Sequence, residues 1–206
     1  HNVHRATLFL KPETLHCSPG PRKKISAKRR DVARQVRNQK KEKTLSLRLN
    51  TDFDGAVAKL REHHKSSCWL TPQLEMCWLL MMTEGKMHIF ELWYGESLIA
   101  ADFGHPVGAS FYVATRFFDP KYRFMQPGFV LAFAEAQVLA NLGFMFWDLG
   151  GTDSSPMMSY KASLGYVVSR PYFQSEFRRK RDSLTSPMPP AGVLVADVGE
   201  EALLTV

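Results

Sequence analysis

The sequence is poor in cysteine and has no long apolar run, and each shortage argues against a class of protein. Its three cysteines, Cys17, Cys68 and Cys77, form no CxxC pair, which argues against a disulfide scaffold and for a reducing, cytoplasmic compartment. The seven histidines, with His63-His64 the only adjacent pair, show no metal spacing, and we interpret them as surface or polar-core residues. The longest apolar run, Met76–Met82, is far shorter than the roughly 18–20 residues of a membrane-spanning helix.

A secretory signal is also missing, since no charged, apolar and small-residue succession follows His1. We therefore expect the chain to be truncated or processed and to have no contact with a membrane. Apolar residues are not scarce: 45% of the 206 residues are hydrophobic and 12% are aromatic. This composition excludes a disordered or collagen-like chain and is enough for the core of one large domain or two small ones.

Positive charge is concentrated in one segment, Pro21–Lys43, which holds eleven basic residues against two acids, a net +9, while the rest of the chain is net −2. Its few apolar residues, Ile25, Val32 and Val36, predict little burial, and we interpret the segment as a mobile loop or a solvated helix. Such a segment would bind RNA through counterion release. The alternative is a solvated linker or a localisation signal. The candidate RNA-binding residues are Arg22, Lys23, Lys24, Lys28, Arg29 and Arg30.

After the basic segment, the spacing of apolar residues predicts short strands and helices. Alternation indicates strands, and a period of three to four residues indicates helices. The predicted strands are 44–49, 87–94, 97–103, 110–115, 144–149 and 166–173. The predicted helices are 53–64, 72–84, 128–142 and a short one ending at 164. We expect loops at 116–127 and 150–156 and a weakly patterned tail beyond 183.

The order of these elements predicts an α/β (α+β) fold. Three consecutive strands form an antiparallel meander within a mixed sheet, and helices cover both of its faces. This is the order of the GNAT acyltransferase fold, which hosts many chemistries. We expect an N-terminal strand and basic segment at 1–43, a GNAT-like domain at 44–177, and a basic, weakly ordered tail at 178–206.

Several short strings, in order along the chain, resemble the leucyl/phenylalanyl-tRNA-protein transferase family. With looser matches at both ends, the similarity covers roughly residues 5–173. The strings are Trp69-Leu70-Thr71-Pro72, His88–Trp93, Leu98–Ala101 leading through Gly104 and Gly108 to Phe111, the helix around Phe133, the strand ending at Asp148, and Ser163-Leu164-Gly165. Tyr160-Lys161 also resembles the related peptidyl-tRNA-using branch of the fold.

The resemblance implies an enzyme that moves Leu, Phe or Met from charged tRNA to the N-terminal amine of a protein beginning with Lys or Arg. An aminoacyl ester is already activated, so we expect no metal and no cofactor, and we expect a monomer. The site has to supply a fixed attack geometry and donors for the oxyanion. Asp148 is the candidate catalytic residue that takes the proton of the amine. Its alternative role is a loop cap, and Asp153 is a weaker candidate.

The resemblance also implies substrate-binding residues. Trp69 would stack on the terminal adenine of the tRNA, and Phe111 with Phe133 would form an apolar pocket for the amino acid. Glu91 would attract the cationic acceptor, and Lys161 would meet a phosphate or the carbonyl oxygen. Core packing and surface salt bridges explain these residue types as well. The candidate substrate-binding residues are Trp69, Thr71, Glu91, Phe111, Thr115, Phe133, Tyr160 and Lys161.

Three short segments depart from the sequence pattern of the family. Its Cys-Gln after the aspartate is Leu149-Gly150 here, its Gly-Glu-Ser-Met-Phe is Val113–Phe117, and its Ser-Lys before the long helix is Gln126-Pro127. Substrate preference therefore cannot be carried over. Two other functions stay open: an acyl-coenzyme A-dependent N-acyltransferase, for which Met125–Gly128 is a poor pyrophosphate loop, and a noncatalytic RNA-binding relative of the fold.

Overall fold

Within the part of the chain that the structure describes, eight strands form one mixed sheet. The structure, a computed structural model, describes residues 4–9, 19–39, 44–152, 158–169, 174–175, 178, 187–199 and 203. The strands are β1 (His4–Phe9), β2 (Leu45–Leu49), β3 (His88–Tyr94), β4 (Ser97–Val107), β5 (Ser110–Phe118), β6 (Phe146–Thr152), β7 (Tyr166–Ser169) and β8 (Val193–Asp197). Their order across the sheet is β7-β1-β6-β5-β4-β3-β2-β8. The predicted mixed sheet is therefore confirmed.

Among the described residues, five α-helices cover the two faces of this sheet. They are α1 (Pro19–Gln39), α2 (Phe53–His64), α3 (Pro72–Thr83), α4 (Pro127–Asn141) and α5 (Lys161–Leu164). One hydrophobic core joins α1, α4 and α5 to one face, and a second joins α2 and α3 to the other. The expected helices on both faces are thus confirmed. Within the described part of the chain, no helix is long and apolar enough to span a membrane.

Local sequence signals fix the helix starts. The Asp52 carboxylate accepts a hydrogen bond from the Gly55 amide at 2.9 Å and caps α2. The Thr71 hydroxyl accepts one from the Leu74 amide at 3.2 Å and caps α3, where Pro72 is the first helical residue. The predicted bounds of α2, α3 and α4 agree with the structure within one residue. The predicted loop at 116–127 instead contains the end of β5 and a short 3₁₀ helix, Pro120–Met125.

The meander β3-β4-β5 is antiparallel as predicted, and it contains a β-bulge near the middle of β5. Phe103 of β4 pairs with Thr115 and Gly104 pairs with Val113, which leaves Ala114 as the extra residue. A bulge reverses the alternation of side chains along a strand. As a result, Phe111 and Val113 pack in the core of the α4 face, whereas Phe117, an even number of residues further on, packs on the α2 face.

The basic segment is not mobile or solvated as expected, because most of it forms α1 and one side of this helix is buried. Ile25, Arg29, Val32 and Val36 have at most 7% of their surface exposed. They recur every three to four residues and pack against α4 and α5. The exposed basic residues, among them Lys24 and Arg30, lie on the opposite side of the helix.

The two ends of the described chain complete the sheet. β1, the expected N-terminal strand, lies between β6 and β7 and pairs with both in antiparallel fashion. The tail expected to be weakly patterned contains β8, which pairs antiparallel with β2, so that part of the prediction is wrong. Both end strands belong to the same sheet as the strands of residues 44–169.

Candidate active site

A cavity opens where two parallel strands part. Within the described residues, β5 and β6 pair at three positions, the last joining Tyr112 to Asp148, although β5 continues to Phe118 and β6 to Thr152. The gap beyond the last pair holds a cavity of about 700 Å³. Its lining comes from α2 on one face of the sheet and from α4 and α5 on the other. The cavity therefore reaches both faces, and its size suits a small ligand or the end of a larger one.

Apolar side chains form much of the wall. They include Val113, Ala114, Phe118, Phe129, Leu149 and Leu164. The titratable lining residues are basic or phenolic: His63, His64, Arg116, Arg123, Tyr160 and Lys161. Among the described residues, no aspartate or glutamate lines the cavity. The cavity therefore suits an apolar group that carries a neutral or anionic neighbour. The described residues also place no group of three His, Cys, Asp or Glu that could hold a metal ion.

The most strongly held charge in the wall is Arg116. Its Nε donates to Asp102 Oδ1 at 2.9 Å, and its Nη2 donates to Oδ2 of the same carboxylate. Asp102 is fully buried beneath it. Burial alone lowers the pKa of Arg116, but the charge of Asp102 and the hydrogen bonds outweigh it and raise the pKa above its ordinary value. Arg116 is thus a fixed cation.

Glu135 extends this buried network. It lies on α4 with no exposed surface, and its Oε1 accepts a hydrogen bond from Trp147 Nε1 at 3.0 Å. Burial, followed by the charge of Asp102, raises the pKa of Glu135 well above its usual range. As a carboxylate, its Oε2 would have no donor among the described residues. As a carboxylic acid, Glu135 could donate to Asp102. Burial and the charge of Asp102 therefore favour the neutral form of Glu135.

Three predicted substrate-binding residues do line the cavity: Thr115, Tyr160 and Lys161. Lys161 Nζ donates to the carbonyl oxygens of Leu149 at 2.8 Å and of Gly151 at 2.6 Å. These bonds hold α5 against the part of β6 that has separated from β5. Burial raises the pKa of the Tyr160 hydroxyl, and the neighbouring Arg116 offsets only part of this rise. Tyr160 is therefore a proton donor at neutral pH.

Two histidines at the end of α2, His63 and His64, also line the cavity, although the sequence analysis assigned them only a surface or core role. His64 Nε2 lies 3.1 Å from the carbonyl oxygen of Arg116, and the His63 ring contacts the Phe118 ring, with centroids 5.1 Å apart. Because β5 and β6 no longer pair at this point, the carbonyl groups on this edge of β5 are open to other donors. The sequence signal that could have found the two histidines is their place at the end of the helix that follows β2.

Asp148, the predicted catalytic residue, lies beside the cavity but does not line it. Its carboxylate has 4% of its surface exposed, and Oδ1 accepts a hydrogen bond from the Gly150 amide at 2.9 Å. Side chains alternate along a strand, so Leu149 faces the cavity and Asp148 faces away. Its charge acts on His105, where burial lowers the pKa and Asp148 offsets part of that effect. This geometry matches the loop-cap alternative. Asp153 lies outside the described residues.

Glu91, Phe111 and Phe133 occupy the interior rather than the cavity wall. Glu91 is fully buried and accepts hydrogen bonds from the Thr51 amide at 2.7 Å, the Asp52 amide at 3.0 Å and Trp93 Nε1 at 3.0 Å. It therefore holds the start of α2 and cannot meet an acceptor that arrives from solvent. Phe111 and Phe133 are at most 1% exposed in the core under α4. Both rings therefore pack in the core next to the cavity and do not form its wall.

Trp69 and Thr71 lie on the α3 side, away from the cavity wall. Trp69 is half exposed and contacts Trp78 edge to face, with ring centroids 5.6 Å apart. An exposed ring face next to a loop leaves room for a stacked base. Thr71 is occupied in capping α3.

The predicted RNA-binding residues do not form one set in the structure. Lys24 and Arg30 are exposed on α1, whereas Arg29 is buried, with its guanidinium 5.1 Å from the ring centroid of Phe133. Burial lowers the pKa of Arg29 to about 10, so it stays cationic at pH 7. Lys28 Nζ donates to Gln126 beside the cavity. The side chains of Arg22 and Lys23 lie outside the described residues.

The departures from the family pattern have local structural reasons. Gly150 has a φ of 78°, which L side chains rarely adopt, and a Cβ there would lie 3.5 Å from the Tyr112 ring. A glutamine at this position would be strained. Gln126 takes a left-handed conformation before α4, and its amide nitrogen donates to Gln35 at 2.8 Å and Asp31 at 3.2 Å on α1. The pair Gln126-Pro127 therefore joins α1 to α4.

A mixed sheet whose two central parallel strands part over a cavity, with an antiparallel meander beside them and helices on both faces, is the GNAT-like fold. Solved structures agree on the fold. FemX matches with a TM-score of 0.58 at 10% identity, covering 84% of this chain and 63% of FemX. L-PGS from Bacillus licheniformis matches with a TM-score of 0.51 at 12% identity, covering 88% of this chain and 65% of L-PGS.

Residues 25–165 match the sequence profile of leucyl/phenylalanyl-tRNA protein transferase. The chain therefore belongs to the leucyl/phenylalanyl-tRNA protein transferase family, as the resemblance indicated.

Curated relatives carry the same name. The transferase of Jannaschia sp. (strain CCS1) is 27% identical over 106 residues, 52% of this chain and 49% of the relative. That of Nitratidesulfovibrio vulgaris (strain DP4) is 27% identical over 144 residues, 68% of this chain and 59% of the relative. That of Chlorobium phaeobacteroides (strain DSM 266 / SMG 266 / 2430) is 30% identical over 95 residues, 45% of this chain and 47% of the relative. The chain thus spans about half the length of the relatives it matches.

Proposed function

We propose that this chain transfers an aminoacyl group from a charged tRNA to the N-terminal amine of an acceptor protein. The observation that supports this most directly is the cavity between β5 and β6, which has an apolar wall, a fixed cation and proton acceptors, in a chain of this family. An apolar amino acid esterified to tRNA has the matching chemistry: an uncharged side chain next to a polyanionic carrier.

The residues of the wall have separate parts in this proposal. Phe118, Phe129 and Leu149 hold a Leu, Phe or Met side chain by burying its apolar surface. Arg116, held in place by Asp102, puts a positive charge next to the carbonyl group on which negative charge develops. An activated ester needs no covalent intermediate, so positioning and charge stabilisation contribute to the catalysis without a nucleophile from the protein.

Two finer points rest on the resemblance alone. We propose that the acceptor begins with Lys or Arg and that the enzyme acts as a monomer on aminoacyl-tRNA. Because the cavity has no carboxylate among the described residues and Glu91 is buried, the cationic side chain of such an acceptor would lie outside the cavity. Only its α-amine would enter.

The acyl-coenzyme A alternative has less support from the geometry. It requires free backbone amides at the start of α4 to bind a pyrophosphate. Pro127 has no amide hydrogen, and the amides of Phe129 and Val130 already donate to the Gln126 carbonyl oxygen at 2.9 and 3.1 Å. This loop is therefore a weak pyrophosphate site.

The test is a transfer assay with tRNA charged with labelled leucine or phenylalanine. The acceptors are one peptide beginning with Lys or Arg, the same peptide with an acetylated N-terminus, and the same peptide beginning with Gly. We expect label on the free Lys and Arg peptides and none on the acetylated one. If the chain binds tRNA but transfers no label, it is a noncatalytic RNA-binding relative of the fold. If it transfers only an acetyl group from acetyl-coenzyme A, it is an acyl-coenzyme A-dependent N-acyltransferase.

A further inference from the structure

We propose that His63 is the proton acceptor for the attacking amine in the transfer reaction. This inference rests on the proposed function and names a residue for its proton transfer. It follows from three features of the cavity: which side of the sheet each wall comes from, which lining groups can take up a proton, and how the His63 ring is held.

Helices from both faces of the sheet line the cavity, so its two sides differ. α2 brings His63 and His64 to one end, and α4 and α5 bring Phe129 and Tyr160 to the other. The gap where β5 and β6 part lies between them. An aminoacyl group that enters along the apolar α4 wall presents its carbonyl at the gap. The amine then approaches from the α2 end, where the imidazoles lie.

Few of the lining groups can accept a proton near neutral pH. Arg116, Arg123 and Lys161 are cationic side chains with only donors, and the pKa of Tyr160 is raised by burial. Among the described residues, the lining therefore offers two imidazoles and no carboxylate. Imidazole is also the side chain whose ordinary pKa lies closest to the working range of a general base.

His63 is held in the form that accepts a proton. Its ring lies 5.1 Å from the Phe118 ring and 4.9 Å from the His64 ring, both measured between centroids. The neutral imidazole has one N–H donor and a lone pair on its other nitrogen, and the nearby Phe118 backbone favours the protonated form only in part. Burial, followed by the proximity of His64, lowers the pKa of His63, and the bond to Phe118 offsets only part of this. His63 is therefore neutral at pH 7.

The charged groups around His63 are compatible with this role. On its own helix, Lys59 is paired with Asp119 at 3.3 Å. The cavity groups that face it from β5, the 3₁₀ helix and α5 are Arg116, Arg123, Tyr160 and Lys161, together with His64 on α2. Asp119 is the one anion among the groups named, and Lys59 pairs with it; none of the cavity-lining groups among the described residues is an anion that would keep His63 protonated.

The proton that leaves the amine passes through His63 to the leaving ribose oxygen, so no other proton donor or acceptor is needed. The lone pair of the neutral α-amine attacks the ester carbonyl carbon, and the new C–N bond forms as the proton of the amine passes to the free nitrogen of His63. The C–O bond to the tRNA ribose then breaks, and the same proton passes from His63 to the ribose oxygen. The products are an aminoacylated acceptor and an uncharged tRNA, and His63 returns to its neutral form.

The test compares single-turnover transfer rates of the unmodified chain with those of His63→Asn and His63→Gln from pH 5.5 to 8.5. Both variants keep an N–H donor for the Phe118 carbonyl oxygen, and neither can take up a proton. The protonation of the amine itself affects all proteins equally, so the ratio of the rates isolates His63. Glu62→Gln, an exposed neighbour on α2, is the control for a change on this helix. Thermal unfolding confirms that each variant folds.

We expect the ratio of unmodified to variant rates to reach roughly 10²–10⁴ at pH 7–8 and to fall toward one as the pH drops below 6.5. The affinity for charged tRNA should stay within about twofold. A large ratio that is the same at every pH would overturn the proposal, since it would show a structural role. So would a ratio near one at pH 8. If the unmodified chain itself transfers nothing, the proposed function fails, and that result is separate from the behaviour of His63.

Discussion

The guanidinium of Arg116 and the carboxylate of Asp102 form a doubly hydrogen-bonded pair at the edge of the cavity, with Asp102 fully buried and the Arg116 side chain 18% exposed. This pair couples the stability of the fold to the charge in the site. Removing one partner of a buried pair leaves the other charge without compensation.

We therefore predict that Asp102→Asn lowers the free energy of unfolding by about 3–5 kcal/mol. The double variant Asp102→Asn with Arg116→Gln should recover part of that loss, because no unpaired charge remains buried. Urea denaturation of the two single variants and the double variant gives the coupling energy. A loss of less than about 1 kcal/mol for Asp102→Asn, in the range of a surface ion pair, would contradict the burial of this pair.

The protonated Glu135 makes stability depend on pH. Its pKa is raised in the folded state, so the unfolded chain loses this proton at a lower pH than the folded chain does. The stabilising contribution is complete below the unfolded pKa and is lost as the pH rises toward the folded pKa. Glu135→Gln keeps the acceptor for Trp147 and a donor for Asp102 but removes this titration.

We predict that Glu135→Gln gains stability relative to the unmodified chain as the pH rises, by at most roughly 1.4 kcal/mol per pH unit above about 4.5. Urea denaturation at pH 5, 6.5 and 8 measures the difference. A difference that does not change with pH would mean that Glu135 is ionised in the folded chain.

The exposed side of α1 gives a prediction for RNA binding. Arg30 and Arg34 are one helical turn apart and exposed. Arg30→Gln and Arg34→Gln should each weaken binding of tRNA and reduce the slope of log affinity against log salt by roughly 0.7–0.9. Lys86→Gln, an exposed lysine on the turn before β3, should leave the slope unchanged. Equal effects of all three variants would point to a general charge effect rather than contact through α1.

Asp148→Asn separates the two roles considered for this residue. The amide oxygen of asparagine can still accept the hydrogen bond from the Gly150 amide, so a loop cap would be preserved. We predict that transfer stays within a few-fold of the unmodified chain and that Asp148→Ala loses about 1 kcal/mol of stability. A 100-fold or larger loss of transfer in Asp148→Asn, without loss of tRNA affinity, would restore Asp148 as a catalytic residue.

The spacing of apolar residues was enough to predict most of the sheet and the helices α2, α3 and α4, because both patterns are local. Helix α1 was also predictable from the sequence, but its segment was interpreted as a mobile loop or a solvated helix. Ile25, Val32 and Val36 have helical spacing, and Arg29 completes the same side of the helix. The many charged residues of the segment made this buried side hard to recognise. An arginine on that side does not rule out burial, because its long aliphatic stem can pack along an apolar surface.

The site was harder to predict because both faces of this sheet are covered. Along such strands a buried residue can face a core or a cavity, and alternation does not distinguish them. Of the substrate-binding residues that the resemblance implied, Thr115, Tyr160 and Lys161 line the cavity, whereas Glu91 and Phe111 are interior residues. The contact between α2 and the open edge of β5 joins residues more than 50 positions apart, such as His64 and Arg116. No local pattern predicts it.

The place of β1 has a consequence for how the molecule is made. β1 is synthesised well before its partners in the described sheet, since β6 comes about 140 residues later and β7 about 160 residues later. β1 therefore stays without these partners until both strands have left the ribosome. Loop closure over such a separation is slow, and an unpaired strand is prone to aggregate in the meantime. Completion of this sheet should accordingly lag behind the synthesis of β1 and be sensitive to the presence of chaperones.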